Sequence, residues 1–316
     1  MTVSHAPSRW PHRLAVATFL AAIPLLLFGG TITTLEAGMV IDGWLVLEPG
    51  RGDHFLLFYP IDKWFRDDGT FAEHTHRLFG ALVGMLSIAT LVATWRAVRR
   101  SWVRWLAVAS LAAVCIQGAL GGFRVLENSP ELAFLHGALA QIVFAVLGLT
   151  AAVLSPRFLQ ARTVTDPESA ALRASGVLAL LLTYVTIFAG AWLRHSVSMA
   201  ALGVHVLLVM LAIGALVMFA ARLKRAGGVQ RRQALVLHLL LGVQFLLGAA
   251  SLWIVFFVVG NRAPEIHQSV FPTLHVMFGA LLLAQVLAAT VWSGRRLEEG
   301  VAAPEDSARA PLEAAS

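Results

Sequence analysis

The chain has 316 residues, of which 58% are hydrophobic and 13% are charged, and its mean hydropathy is +0.75. This composition is typical of an integral membrane protein and excludes a soluble globular domain. The formal net charge of +6 does not indicate nucleic-acid binding, because the basic residues lie mainly in alternate connections between apolar runs. The single cysteine, Cys115, excludes an intrachain disulfide bond.

Eight apolar runs are long enough to cross a bilayer as helices, which takes about 20 residues each. They lie near residues 13–34, 74–95, 102–123, 132–154, 174–193, 199–221, 234–258 and 270–292. Arginine and lysine are concentrated before the first run, after the eighth and in every second connection. By the positive-inside rule, we expect a multi-pass protein of the cell inner (plasma) membrane with both termini in the cytoplasm.

The connection at residues 155–173 contains two prolines and several polar residues, which is typical of a linker. Gln117 and His136 before it are echoed by Gln244 and His275 after it. We therefore predict an all-α integral membrane protein whose eight transmembrane helices form two pseudo-twofold-related four-helix bundles. The predicted parts are a cytoplasmic arm at 1–12, bundles at 13–154 and 174–293 joined by that linker, and a disordered cytoplasmic tail at 294–316.

Four histidines lie near the outer ends of the even-numbered runs, namely His76, His136, His205 and His275. The even helices all cross the membrane in the same direction, so these imidazoles are expected at similar depth. Ionisable side chains inside a membrane helix usually have a functional role. Two histidines on two helices of each half indicate bis-imidazole ligation of a haem iron inside each four-helix bundle.

Glu73 lies three residues before His76 and shares its helix face. One interpretation places this carboxylate at the edge of a bound haem, and the other is an ion pair with Arg77, four residues further on, or a contact with the helix dipole. The corresponding positions near His205 hold Leu202 and Val206. The two halves are therefore expected to differ in chemistry.

At these residues the chain resembles the heme A synthase family of eight-helix membrane proteins. The resemblance is carried by the motif Glu73-x-x-His76-Arg77, by the three later histidines, and by the segment GGTITTLEAGM at residues 29–39. It covers nearly the whole chain. Many bacterial members have cysteine pairs in the outer loops after helices one and five, whereas neither loop of this chain contains a cysteine.

This resemblance implies a membrane oxidoreductase that converts a ring methyl of heme O to the formyl group of heme A for cytochrome oxidase assembly. By this resemblance, His76 and His136 would flank the iron of the substrate haem, and Glu73 would be the catalytic residue beside the methyl group. His205 and His275 would hold a permanent heme b, and Arg77 would contact a propionate or form an ion pair. The implied partners are heme O and heme A, membrane lipid, and heme O synthase or cytochrome oxidase assembly proteins, with no nucleic acid.

An alternative function is that of a bis-His di-haem b-type membrane cytochrome, or a haem carrier, without chemistry on the porphyrin. Such a protein would need two equivalent sites. Because Glu73 and Arg77 have no counterparts in the second half, the sequence favours the enzyme.

Overall fold

The computed structural model describes residues 8–196, 198–259 and 265–297. Within these ranges, eight helices are long and apolar enough to cross a membrane. They are α1 Trp10–Thr34, α3 Asp68–Ala97, α4 Ser101–Glu127, α5 Pro130–Val153, α7 Pro167–Ser196, α8 Met199–Arg225, α9 Gly228–Trp253 and α10 Val270–Trp292. The predicted all-α integral membrane fold is confirmed.

Shorter elements lie in the connections. They are α2 Ile61–Trp64, α6 Pro156–Gln160, a π-helical extension of α9 at Ile254–Val259, 3-10 turns at Leu56–Phe58 and Ile266–Ser269, and strands β1 Val46–Leu47, β2 His54–Phe55, β3 Arg162–Thr163 and β4 Arg295–Arg296. Both strand pairs are antiparallel, with Val46 opposite Phe55 in one and Arg162 opposite Arg296 in the other.

The helices persist across the apolar runs because lipid offers no hydrogen-bond partner to the backbone, so each N–H and C=O must be satisfied within the helix. Polar side chains define several starting points. Asp67 accepts a hydrogen bond from the backbone N–H of Thr70 at 2.8 Å, which is an N-cap. This cap explains why α3 begins at Asp68, six residues before the predicted start of the run.

The helices pack against their neighbours within each half, and the two halves are also in contact. In the first half, α1 packs on α3 and α5, and α4 packs on both of those helices. In the second half, neighbouring helices from α7 to α10 pack in sequence, and α10 also packs on α1 and α5. One buried cluster joins Ala22 and Phe144 of the first half to Ala280 and Leu283 of the second. The halves are therefore in direct contact along α10.

The 35–67 segment connects α1 to α3 and folds over one end of the first half. We name this end the histidine end, because His76 and His136 lie near it. Its own small core consists of Ile41, Leu47, Leu56 and Tyr59. The Trp44 ring lies against α4 at Gly122, where a β-carbon would overlap it. This close approach holds the segment against the bundle.

At the opposite end, the linker is structured. It contains α6 and β3, and α7 already begins at Pro167. Strand β4 pairs with β3 and includes Arg295 and Arg296 from the start of the predicted tail. The rest of that tail, residues 298–316, and residues 1–7 of the predicted arm lie outside the described residues.

Candidate functional site

The four predicted histidines form two facing pairs near the histidine end. The ring centres of His76 on α3 and His136 on α5 are 6.4 Å apart, with the ring planes at 75°. Those of His205 on α8 and His275 on α10 are 6.5 Å apart, at 85°. Each half of the chain thus supplies one pair, and all four side chains are only partly buried.

The separation within each pair suits one metal ion between two imidazoles. A histidine nitrogen lies about 2 Å from a metal ion that it binds, and the ring centre lies about 1 Å beyond it, so two rings on opposite sides of an ion have centres about 6 Å apart. Within the described residues, no group of three or more histidine, cysteine, aspartate or glutamate side chains could hold a metal ion. Two axial ligands fit a haem iron, which takes its other four ligands from the porphyrin.

Each imidazole rests against a glycine of a neighbouring helix. A β-carbon at these glycines would lie 2.8 to 3.0 Å from Cε1 of the facing histidine. The contacts are Gly29 with His76, Gly121 with His136, Gly190 with His205 and Gly248 with His275. Any larger residue would displace the ring, so the four glycines position the four side chains.

In two of the histidines, backbone carbonyl groups determine the tautomer. Nδ1 of His76 lies 2.9 Å from the carbonyl oxygen of Leu25, and Nδ1 of His205 lies 3.0 Å from that of Thr186. A carbonyl oxygen only accepts, so each Nδ1 carries the proton and donates it. Nε2 then keeps its lone pair, which is the form of histidine that binds a metal.

Glutamines take the place of those carbonyl groups at the other two histidines. Nε2 of Gln117 donates to the carbonyl oxygen of His136 at 2.9 Å and lies 3.1 Å from its Nδ1. Nε2 of Gln244 lies 3.5 Å from Nε2 of His275. In the described part of the chain, Oε1 of both glutamines and Nδ1 of His275 are buried without a partner. Rotated amide and imidazole groups would let Oε1 of Gln244 accept from Nδ1–H of His275, which would reproduce the tautomer of His76 and His205. The Gln117 amide keeps the orientation in which it donates to the carbonyl oxygen of His136.

Glu73 is 3% exposed and holds the 35–67 segment. Its Oε1 accepts from Arg77 at 2.6 Å, and its Oε2 accepts from the backbone N–H of Ile41 at 2.9 Å. Arg77 also donates to the carbonyl oxygens of Ile41 at 3.0 Å and Gly43 at 2.8 Å. The structure therefore contains the ion pair that was one of the two interpretations of Glu73, and its catalytic role stays a prediction.

Two further arginines lie near the histidine pairs and were not singled out from the sequence. Arg124 of α4 donates to the carbonyl oxygen of Gly38 at 3.1 Å. Arg194 of α7 donates to the carbonyl oxygen of Gly30 at 2.6 Å and to the hydroxyl of Thr34 at 2.5 Å. Among the described residues, neither guanidinium has a carboxylate within 4 Å. Arg124 lies three residues after Gly121, and Arg194 lies four residues after Gly190. This spacing was the feature of the sequence that could have identified them.

Two other histidines near this end do not join the pairs. His74 is buried, with its ring 4.9 Å from that of Tyr59 and 5.0 Å from that of Trp64, so it belongs to the packing of the 35–67 segment. His195 is exposed and its ring lies 5.9 Å from that of Phe134.

Comparisons with known proteins agree with this arrangement. Residues 57–205 match the family described as COX15-CtaA, cytochrome oxidase assembly protein. Over this part, the chain is similar to that family. The matched residues include the Glu73 motif and the first three of the four histidines, and His275 lies beyond them.

The chain is also similar to two curated relatives. The chain is 28% identical over 178 residues to the heme A synthase of Shouchella clausii, an alignment that covers 53% of this chain and 58% of the relative. It is 32% identical over 176 residues to the heme A synthase of Symbiobacterium thermophilum, with 52% of this chain and 57% of the relative covered. The chain thus spans less than two thirds of the length of each relative.

Proposed function

We propose that this protein is a heme A synthase, a membrane oxidoreductase that oxidises a ring methyl of heme O to the formyl group of heme A. The observation that carries the proposal is the difference between two otherwise similar sites. Both have facing imidazoles, but among the described residues a buried carboxylate one helical turn away, Glu73, is found only at the pair His76 and His136. Two equivalent electron-transfer haems would not require that difference.

In this proposal, His76 and His136 hold the iron of the substrate heme O, and His205 and His275 hold a resident heme b. The fit rests on the ring separations, the exposed lone pair of Nε2 in His76 and His205, and the unpartnered polar atoms of Gln117 and Gln244. When bound, heme b supplies one-electron transfer.

Glu73 acts as a proton acceptor beside the substrate. Conversion of a methyl group to a formyl group adds an oxygen atom and removes electrons and protons, so it requires dioxygen, or water together with an external electron acceptor. An ionised carboxylate is a hydrogen-bond acceptor that can take up one of the protons. Arg77 and the N–H of Ile41 hold both carboxylate oxygens in place. Glu73 therefore links the chemistry to the 35–67 segment, which covers this end of the first half.

Arg124 and Arg194 bind the carboxylate groups of the two porphyrins in this proposal. A buried or partly buried cation is costly without an ion-pair partner, and within the described residues neither arginine has a carboxylate within 4 Å. Arginine also matches the planar geometry of a carboxylate. Arg77, by contrast, already has Glu73 as its partner.

The proposed location is the cell inner membrane, with both termini in the cytoplasm. The opposite end of the bundle carries the connections that are rich in arginine and lysine, and cytoplasmic loops have this composition. The histidine end then faces outward. Proposed partners are heme O synthase, as the source of substrate, and cytochrome oxidase assembly proteins, as acceptors of heme A.

The test is expression of the full chain in a host that makes heme O but no heme A, followed by pigment extraction and chromatography. We expect heme A with the natural sequence and only heme O with Glu73→Gln. Glu131→Gln is the matched control, because Glu131 is an exposed carboxylate at the start of α5, and it should still yield heme A. Extraction of unchanged heme O from the natural protein would refute the enzyme and favour the di-haem cytochrome or haem carrier.

A further inference from the structure

A layer of buried hydroxyl groups lies deep in the first half, away from the histidines. All four of its long helices contribute, and each of the five side chains is at most 5% exposed. The residues are Thr18 of α1, Ser87 and Thr90 of α3, Ser110 of α4 and Thr150 of α5, and with Ala15, Ala107 and Leu147 they enclose a small cavity. We name these five side chains the hydroxyl layer.

The hydroxyl layer has a constant position relative to the histidine site. Thr18 and Ser110 lie eleven residues before Gly29 and Gly121, and Ser87 lies eleven residues after His76. Eleven residues correspond to about three helical turns, or about 16 Å. Buried apolar side chains, including Ala22, Val83 and Phe144, lie between the two levels. The hydroxyl layer is therefore separate from the proposed haem site.

The second half has apolar side chains at all the matching positions. Aligning each helix on its histidine, or on the glycine that faces one, pairs the hydroxyl layer with Ala179, Leu216, Phe219, Leu237 and Ala289. These five residues belong to one apolar cluster and are each at most 2% exposed. The same level is thus closed by apolar packing in one half and lined by hydroxyl groups in the other.

The hydroxyl layer has acceptor capacity beyond its observed contacts. Every member lies 2.7 or 2.8 Å from the carbonyl oxygen four residues earlier in its own helix. Between helices, the oxygens of Thr18 and Thr90 are 3.2 Å apart, and those of Ser110 and Thr150 are 2.7 Å apart. Each hydroxyl group has one proton and two lone pairs, so a side chain that donates to its own helix can still accept a hydrogen bond from a further donor.

We infer that the hydroxyl layer binds one water molecule between α1, α3, α4 and α5. Water supplies two donors, and the cavity has a volume of about 10 Å³, close to the 10–15 Å³ that holds one water. No carboxylate lines the cavity, so a neutral ligand fits better than a cation. The water molecule forms polar contacts with four helices of the first half. At the same depth, the helices of the second half are held together by apolar contacts. This inference does not depend on haem binding.

The test is a structure of the full-length protein at a resolution that shows ordered water. We expect density between the side chains of the hydroxyl layer and none among their apolar counterparts in the second half. Ser110→Ala combined with Thr150→Val should abolish the density, whereas Thr150→Ser should retain it. Thr183→Val is the matched control, because this buried hydroxyl group bonds only to its own helix, at the carbonyl oxygen of Ala179.

Two results would overturn the inference. One is an empty cavity in the natural protein, and the other is uptake of xenon at that level, since dry apolar cavities bind this gas. If the double variant fails to fold, the natural protein and Thr150→Ser still decide the question.

Discussion

Replacing Gly248 by alanine tests whether the glycine contacts position the histidines. The new β-carbon would lie 2.9 Å from Cε1 of His275, whereas nonbonded carbon atoms prefer about 3.5–4.0 Å. The imidazole must therefore retreat by at least about 0.6 Å. Such overpacking costs about 1–3 kcal/mol, which equals or exceeds the gain of about 1 kcal/mol from replacing glycine by alanine within a helix.

The assay is the haem content of the purified protein together with its visible spectrum. We expect Gly248→Ala to lose the haem proposed for the second histidine pair, or to lose the low-spin spectrum of bis-imidazole ligation, because a displaced His275 no longer faces His205 at the required separation. Gly242→Ala is the matched control on the same helix, since a β-carbon there would meet nothing within 4 Å. It should keep the haem and gain a little stability. Equal haem content and equal spectra for the two variants would refute the positioning role of Gly248.

Three further predictions concern the 35–67 segment and its surroundings. Asp67→Ala removes the N-cap bond to Thr70 and should lower the free energy of unfolding by about 1 kcal/mol. Hydrogen exchange in the first turn of α3 measures this loss, and unchanged exchange would contradict the prediction. Lys63 lowers the pKa of Glu48 through their hydrogen bond. The pair therefore stabilises the segment fully at pH values above 4.5, the ordinary pKa of the carboxyl group. This stabilisation is lost as the pH falls through the lowered pKa of Glu48. Limited proteolysis should therefore show acid sensitivity that is weaker in Lys63→Met, and identical pH profiles would disprove this. Arg194→Gln should reduce retention of the haem proposed for the second histidine pair without abolishing the fold, and undiminished retention in dialysed protein would exclude the proposed role of Arg194 as a carboxylate partner.

The membrane fold could be predicted because its signal is local. Hydropathy over about 20 residues identifies a spanning helix without knowledge of its neighbours, and all eight predicted runs lie within observed helices or extend past them by a few residues. The starts were less predictable. Asp67 moved the beginning of α3 to Asp68, because a capping bond depends on side-chain geometry and not on hydropathy.

The site was predictable only in part. The four histidines stand out because ionisable residues are rare inside membrane helices. A glycine next to a histidine in the sequence does not contact the ring; at Gly137, for example, a β-carbon would meet nothing within 4 Å. The glycines that contact the rings are on other helices. The pairing of glycines with histidines depends on how each helix is rotated about its own axis. This rotation cannot be read from a single sequence.

By itself, the sequence determined the eight spans, the common depth of His76, His136, His205 and His275, and the difference between the halves at Glu73. These follow from helix length and the order of residues along each helix. Only the tertiary structure decided that Glu73 bonds to the N–H of Ile41 and that Arg194 bonds to the carbonyl oxygen of Gly30, contacts that join residues 32 and 164 positions apart. Such contacts depend on how whole helices pack against one another, and that packing is a property of all their faces together.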